Sequence, residues 1–126
     1  DAELLTANND ALVLNIAANY GGRWEIINAT KAIAEQVKAG ALDSNDIDEN
    51  LFGGFTCCSD LPELDLLIRT GGETRISNFL LWQVAYAELY FTDTYWPDFN
   101  EDAFKLAIDN FADRQRRYGM TGEQVS

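Results

Sequence analysis

Two apolar runs, each emptying into a loop built on paired glycines, constrain this chain more than any other feature. Leu12-Val13-Leu14-Asn15-Ile16-Ala17-Ala18 leads into Asn19-Tyr20-Gly21-Gly22-Arg23, and Leu64-Asp65-Leu66-Leu67-Ile68 leads into Arg69-Thr70-Gly71-Gly72-Glu73. Short apolar runs of this kind are the pattern of strands buried on both faces, as in a parallel sheet. Behind the first loop, Ile26, Ile27, Thr30, Ile33, Ala34 and Val37 recur at helical spacing, and Gly40 stands where a C-terminal cap belongs. Asp43 to Asn50 reads as a turn and a short helix. Behind the second loop, Ser77 or Asn78 caps a helix whose body, Phe79 to Tyr86, is apolar nearly all round. Leu89-Tyr90-Phe91 makes a short third strand, and Pro97 closes the loop after it. Asn100 then caps a last helix with Phe104, Ala107, Ile108 and Phe111 on one face. Arg114, Arg116 and Arg117 complement its C-terminal dipole, and Gly119 ends it.

This alternation predicts an α/β fold, a mostly parallel sheet with flanking helices. Three strands are few for so much apolar helix surface, so further strands are expected from another segment or a partner chain. At 126 residues the chain is one domain or part of one, and no repeat, linker or low-complexity block divides it. Its first residue, Asp1 rather than Met, fits a fragment or a processed product.

Composition removes several function classes. Nine Lys+Arg against 21 Asp+Glu give a net charge of -12, the wrong field for a general nucleic-acid binder. Histidine is absent, which removes imidazole as general base, triad member or zinc ligand. The two cysteines, Cys57 and Cys58, are adjacent. Neighbours cannot span an ordinary disulfide and lack zinc-chelating spacing, so they read as reduced thiols of a cytosolic protein. No secretory signal is visible, and the longest apolar run, within Phe79 to Ala87, is too short and interrupted to span a bilayer. A soluble chain is expected.

In open α/β sheets ligands bind outside the carboxyl ends of the strands, where both glycine loops belong. Paired glycines let backbone N–H groups approach a ligand, or simply make a tight turn. Neither loop carries a nucleotide-binding glycine pattern. The second is the richer: Arg69 and Arg75 offer forked donors matched to phosphate oxygens, with the Ser77 hydroxyl beside them. Arg69 and Glu73 can also simply pair with each other. Glu88 interrupts the apolar run from Trp82 to Phe91. A carboxylate there needs either a salt bridge to an Arg or a cation, and Mg²⁺ suits the second reading. Trp82, Tyr86, Tyr90, Tyr95 and Trp96 read as core or interface residues.

The runs Leu14 to Arg23, Asp65 to Glu73 (DLLIRTGGE), Arg75 to Trp82 (RISNFLLW), Ala85 to Phe91 and Trp96 to Phe99 together carry a resemblance. From Ala11 to Gly119 the chain resembles the C-terminal half of a cis-prenyltransferase, on that family's bacterial undecaprenyl diphosphate synthase branch. The resemblance implies condensation of isopentenyl diphosphate with an allylic prenyl diphosphate, with Mg²⁺ as cofactor. The implied product is a long cis-polyprenyl diphosphate that partitions to the membrane as a lipid carrier for cell-wall synthesis. By the family pattern Arg69, Arg75, Ile76 and Ser77 hold isopentenyl diphosphate and Glu73 supports their loop. Glu88 helps bind Mg²⁺, reaching across a homodimer. Arg117-Tyr118-Gly119 has the R-x-G form that reaches a partner's active site in related heteromeric enzymes. The implied location is the cytoplasm, or the periphery of the inner membrane face.

The family's N-terminal half, with an Asp-Gly-Asn-Gly-Arg-Trp-type loop bearing the catalytic Asp and the allylic site, has no counterpart in these 126 residues. The expectation is one segment, residues 1–126, without an internal boundary, holding no catalytic residue of its own and inactive alone. Two other readings stay open: a non-catalytic diphosphate-binding subunit completed by a partner chain, and an acidic protein-interaction module.

Overall fold

The structure, a computed structural model, describes residues 2–114. A short helix α1 (Ala2–Thr6) comes first, followed by an irregular segment and the long helix α2 (Gly22–Lys38). Then come α3 (Glu49–Gly53), strand β1 (Leu66–Arg69), strand β2 (Glu88–Phe91) and α4 (Glu101–Ala112). β1 and β2 run parallel, with Leu66 opposite Glu88 and Arg69 opposite Phe91. The expected α/β class with a parallel sheet is what forms. Among the described residues, however, the sheet holds two strands rather than three.

The difference lies in Leu12–Ala18, which is not a strand. Its apolar side chains stand in solvent: Leu12, Val13, Leu14 and Ile16 are each at least 70% exposed. A strand exists only through ladder hydrogen bonds to a neighbour, and among the described residues no strand pairs with it. The Ala2–Thr6 helix was not anticipated from the sequence.

The helix ends follow their cap chemistry. Behind α2, Gly40 adopts φ 71, its N–H donates to the Val37 carbonyl at 3.0 Å, and Ala41 N–H donates to Gln36 at 2.9 Å. This double closure with a left-handed glycine satisfies carbonyls that the helix leaves open. At the start of α4, Asn100 Oδ1 accepts from Ala103 N–H at 3.0 Å, as expected of that cap. Ala107 is fully buried at the centre of the expected α4 face, but Phe104 and Ile108 are half exposed. The buried face of α2 is Gly22, Glu25, Ala29 and Ile33. That stripe shares only Ile33 with the set expected from apolar spacing, because Glu25 takes an inward position.

The segment expected to be a helix from Phe79 to Tyr86 forms turns, and only Gln83–Tyr86 coils, as a 3₁₀ turn. Ser77, Asn78 and Leu80 adopt φ of 48°, 64° and 46°, so a right-handed helix cannot propagate through them. Asn78 does not cap its own segment. Its carbonyl accepts from Gly22 N–H at 2.7 Å and its Oδ1 from Arg23 N–H at 2.9 Å, capping α2 from across the fold. The residues expected in core or interface lie outside the core, with Tyr86, Tyr95 and Trp96 strongly exposed.

Candidate functional site

β1 delivers Arg69 to its carboxyl end, and the loop Thr70 to Ser77 folds back over it. Gly71 and Gly72 take φ of 86° and 76°, conformations that side chains resist. Their N–H groups donate to Thr94 and Thr92 carbonyls at 2.9 and 3.0 Å, tying the loop to the segment behind β2. A β-carbon on Gly72 would meet Asp93 Oδ1 at 3.2 Å. These glycine N–H groups are therefore spent on protein and do not form an anion cradle. In the first loop Gly22 N–H is likewise spent, on the Asn78 carbonyl, and the close approach that Gly21 and Gly22 permit is to Asn78 and Leu81.

What the loop presents instead is side chains. Arg69 Nη1 donates to Ser77 Oγ at 2.7 Å and also to the Arg75 carbonyl. Glu73 pairs with Arg75 at 2.5 Å, not with Arg69, and both partners are substantially exposed. Arg69, Ile76 and Ser77 line a cleft of about 280 Å³ with Leu67, Ile68 and Phe79. This couples an apolar wall to a guanidinium and a hydroxyl, the chemistry of an amphiphilic anion site. A larger cleft, about 370 Å³, is lined by Glu49, Glu63, Leu64, Trp82 and Tyr86 among others, with no Arg or Lys in its wall. Size alone would favour it; its charge does not suit an anion.

The structure thus brings Arg69, Glu73, Arg75, Ile76 and Ser77 together and leaves Glu88 apart. Glu88 opens β2 opposite Leu66, whereas Arg69 closes β1 opposite Phe91, so three strand residues, about 10 Å, separate the two levels. Glu88 Oε2 accepts from Arg114 Nη1 at 2.8 Å, and the same nitrogen donates to the Leu89 carbonyl at 2.9 Å. The half-buried carboxylate therefore has the arginine partner that one of its two readings required. Among the described residues no three His, Cys, Asp or Glu side chains gather around a common point. A single carboxylate suits Mg²⁺ only where water and phosphate oxygens complete the shell. Arg116 and Arg117-Tyr118-Gly119 lie outside the described residues.

Glu25 was missed from the sequence. It is 2% exposed, yet fully engaged. Tyr20 Oη donates to its Oε2 at 2.5 Å, Cys57 N–H to its Oε1 at 2.6 Å, and Gln83 Nε2 to the same oxygen at 3.1 Å. Burial pushes the Glu25 carboxyl up, but the hydrogen bonds from Tyr20, Cys57 and Gln83 outweigh it and hold it below its ordinary value. Burial, then the bond to Glu25, pushes the Tyr20 phenol above its usual range. The carboxylate clips the Tyr20–Gly22 loop, the Cys57 turn and the Gln83 turn together, beneath the Asn78–Leu81 segment. The available signal was an acid three and four residues from the inward positions Gly22 and Ala29.

The sequence profile of the undecaprenyl diphosphate synthase family (Prenyltransf) matches residues 1–119. Ditrans,polycis-undecaprenyl-diphosphate synthases specific for (2E,6E)-farnesyl diphosphate are similar to the chain. That of Aliivibrio fischeri is 58% identical over 125 residues, 99% of this chain and 49% of the relative. That of Vibrio cholerae is 57% identical over 124 residues, covering 98% and 50%. Among solved structures, lavandulyl diphosphate synthase from Lavandula x intermedia, in complex with dimethylallyl diphosphate, superposes with TM-score 0.86 at 39% identity. The match covers 94% of this chain and 51% of that one. A probable undecaprenyl diphosphate synthase from Campylobacter jejuni gives 0.75 at 38% identity, covering 93% and 52%. The chain spans about half the length of the curated relatives it matches. With a profile match over nearly its whole length and two solved folds in agreement, this chain belongs to the cis-prenyltransferase family of undecaprenyl diphosphate synthases.

Proposed function

We propose that the chain is the isopentenyl diphosphate-binding portion of a cis-prenyltransferase, corresponding without internal boundary to the C-terminal half of the family fold. The observation that carries this reading is the Arg69–Ser77 pair, 2.7 Å apart, on an apolar cleft at the carboxyl end of a parallel strand. In this reading Arg69, Arg75 and the Ser77 hydroxyl take the diphosphate, Ile76 and Phe79 face the isoprenoid carbons, and Glu73 orients Arg75. The allylic partner is a prenyl diphosphate, farnesyl diphosphate by likeness to the named relatives. The product is a long cis-polyprenyl diphosphate that leaves for the membrane and serves cell-wall synthesis. The site of action is the cytoplasm or the inner membrane face. Among the described residues, no helix is long and apolar enough to cross a membrane.

In this reading Glu88 is the chain's own contribution to Mg²⁺, made to the site of a second copy in a homodimer; its separation from Arg69 along the sheet is consistent with that. Mg²⁺, when bound, neutralises diphosphate oxygens and eases departure of the allylic diphosphate. Short-range charge from Arg69, Arg75 and the ion overcomes the acidic surface, because screening confines distant charges to about 8–10 Å.

Calorimetric titration of the chain with isopentenyl diphosphate, with and without Mg²⁺, tests this reading. Saturable binding that Arg69→Ala weakens about 10- to 100-fold is the expected result. Binding of unchanged affinity in a folded Arg69→Ala variant defeats the assignment.

A further inference from the structure

Cys57 and Cys58 stand outside the proposed site. Both are free and exposed, and they are adjacent on one turn. That turn is fixed from three sides. The Cys57 N–H is held by buried Glu25 at 2.6 Å. The Cys58 carbonyl accepts from Leu61 N–H at 3.0 Å, closing a turn that begins at φ 63. Asn15 Nδ2 donates to Cys58 Sγ at 3.3 Å. Burial, the hydrogen bond to Glu25 and the charges of Glu25 and Cys58 all push the Cys57 thiol up, so it stays protonated at neutral pH.

These properties select among soft ligands. Zinc requires thiolates and usually four protein ligands, and no third His, Cys, Asp or Glu joins the pair among the described residues. A trivalent organoarsenical requires two sulfurs and accepts them as thiols. Each As–OH bond is replaced by an As–S bond, each thiol proton leaves with the hydroxyl as water, and no electrons are transferred.

We propose that the Cys57–Cys58 pair is a dithiol site for trivalent arsenicals, bridged by one arsenic on the turn that Glu25 anchors. Phenylarsine oxide is the probe, added to the folded chain in excess glutathione and read by native mass spectrometry. One phenylarsenic group per chain, resistant to the monothiol and removed by 2,3-dimercaptopropanol, is expected. In Cys57→Ser and Cys58→Ser, each a near-isosteric change, apparent affinity falls on the order of 100-fold, because the second sulfur's effective concentration is lost. Equal retention by the wild type and either variant overturns the proposal. So does failure of the two thiols to titrate in the folded, reduced chain, since the turn would then be closed to ligand.

Discussion

Arg69 leaves β1 with Nη1 already engaged by Ser77 and the Arg75 carbonyl, and it reaches the cleft that the apolar wall defines. Arg75 is placed differently, because its guanidinium is paired with Glu73 and two-thirds exposed. An exposed pair of this kind contributes at most about 1 kcal/mol, so a diphosphate can draw Arg75 away at little cost, but it gains correspondingly less from it. The two arginines should therefore be unequal. Arg69→Ala is expected to weaken isopentenyl diphosphate binding about 10- to 100-fold, the worth of a charged hydrogen bond, and Arg75→Ala by less. Calorimetry of both variants checks the order, and a larger loss at Arg75 contradicts it. Glu25 makes a prediction about pH. Its folded carboxyl titrates below the ordinary value, so its stabilising contribution is present above that ordinary value and is lost as pH falls through the folded one. Glu25→Gln should thus be less stable than the wild type at neutral pH. The gap should narrow on acidification below about 4.3, the ordinary glutamate value. Urea melts at several pH values measure it, and a constant gap would show that the charge is not what stabilises.

At the scale of elements, the joint between α2 and the Asn78–Leu81 segment holds the site loop in place. A β-carbon on Gly22 would lie 2.7 Å from Leu81 Cγ and 3.0 Å from the Leu81 backbone nitrogen. Gly22→Ala must push the segment away, at a cost of about 1–3 kcal/mol. For a chain of this size that lowers the thermal midpoint by several degrees, read by circular dichroism. Asn100→Ala, which removes only the α4 cap, should cost about 1 kcal/mol and leave ligand binding intact. This joint also shows where sequence reasoning stops. α2 with its glycine stop, the Asn100 cap, both strands and the arginine loop are written in local patterns, and all of them form. Leu12–Ala18 has the pattern of a strand but pairs with no strand among the described residues, and pairing is not a local property. Phe79 to Tyr86 has helical composition, yet Asn78 spends its side chain and carbonyl on α2, which fixes left-handed backbone where a helix would begin. Glu25 carried no local signal of its role, because its partners Tyr20, Cys57 and Gln83 converge only in the fold.

For the whole molecule, the parallel register bears on how many chains the proposed site needs. Glu88 and Arg69 sit at opposite ends of the two-stranded sheet, and Glu88 is held there by Arg114. Three strand residues, about 10 Å, separate them, and the alternation of side chains along the paired strands puts them on opposite faces of the sheet. If both residues serve one diphosphate with Mg²⁺, as proposed, they come from different copies related by a two-fold axis. Each single variant then has every site damaged: Arg69→Ala lacks the guanidinium and Glu88→Gln the carboxylate. Co-refolded in equal amounts, they form mixed dimers in which one site has both defects and the other has none. Random pairing makes about half of the dimers mixed, so about a quarter of all sites should recover Mg²⁺-dependent binding of isopentenyl diphosphate. Titration calorimetry on the mixture reads that fraction directly, against each variant refolded alone. Recovery near a quarter would establish that the site is shared between chains. No recovery, from variants shown by sedimentation to exchange subunits, would mean that Glu88 and Arg69 serve separate purposes, with Glu88 kept for its bond to Arg114.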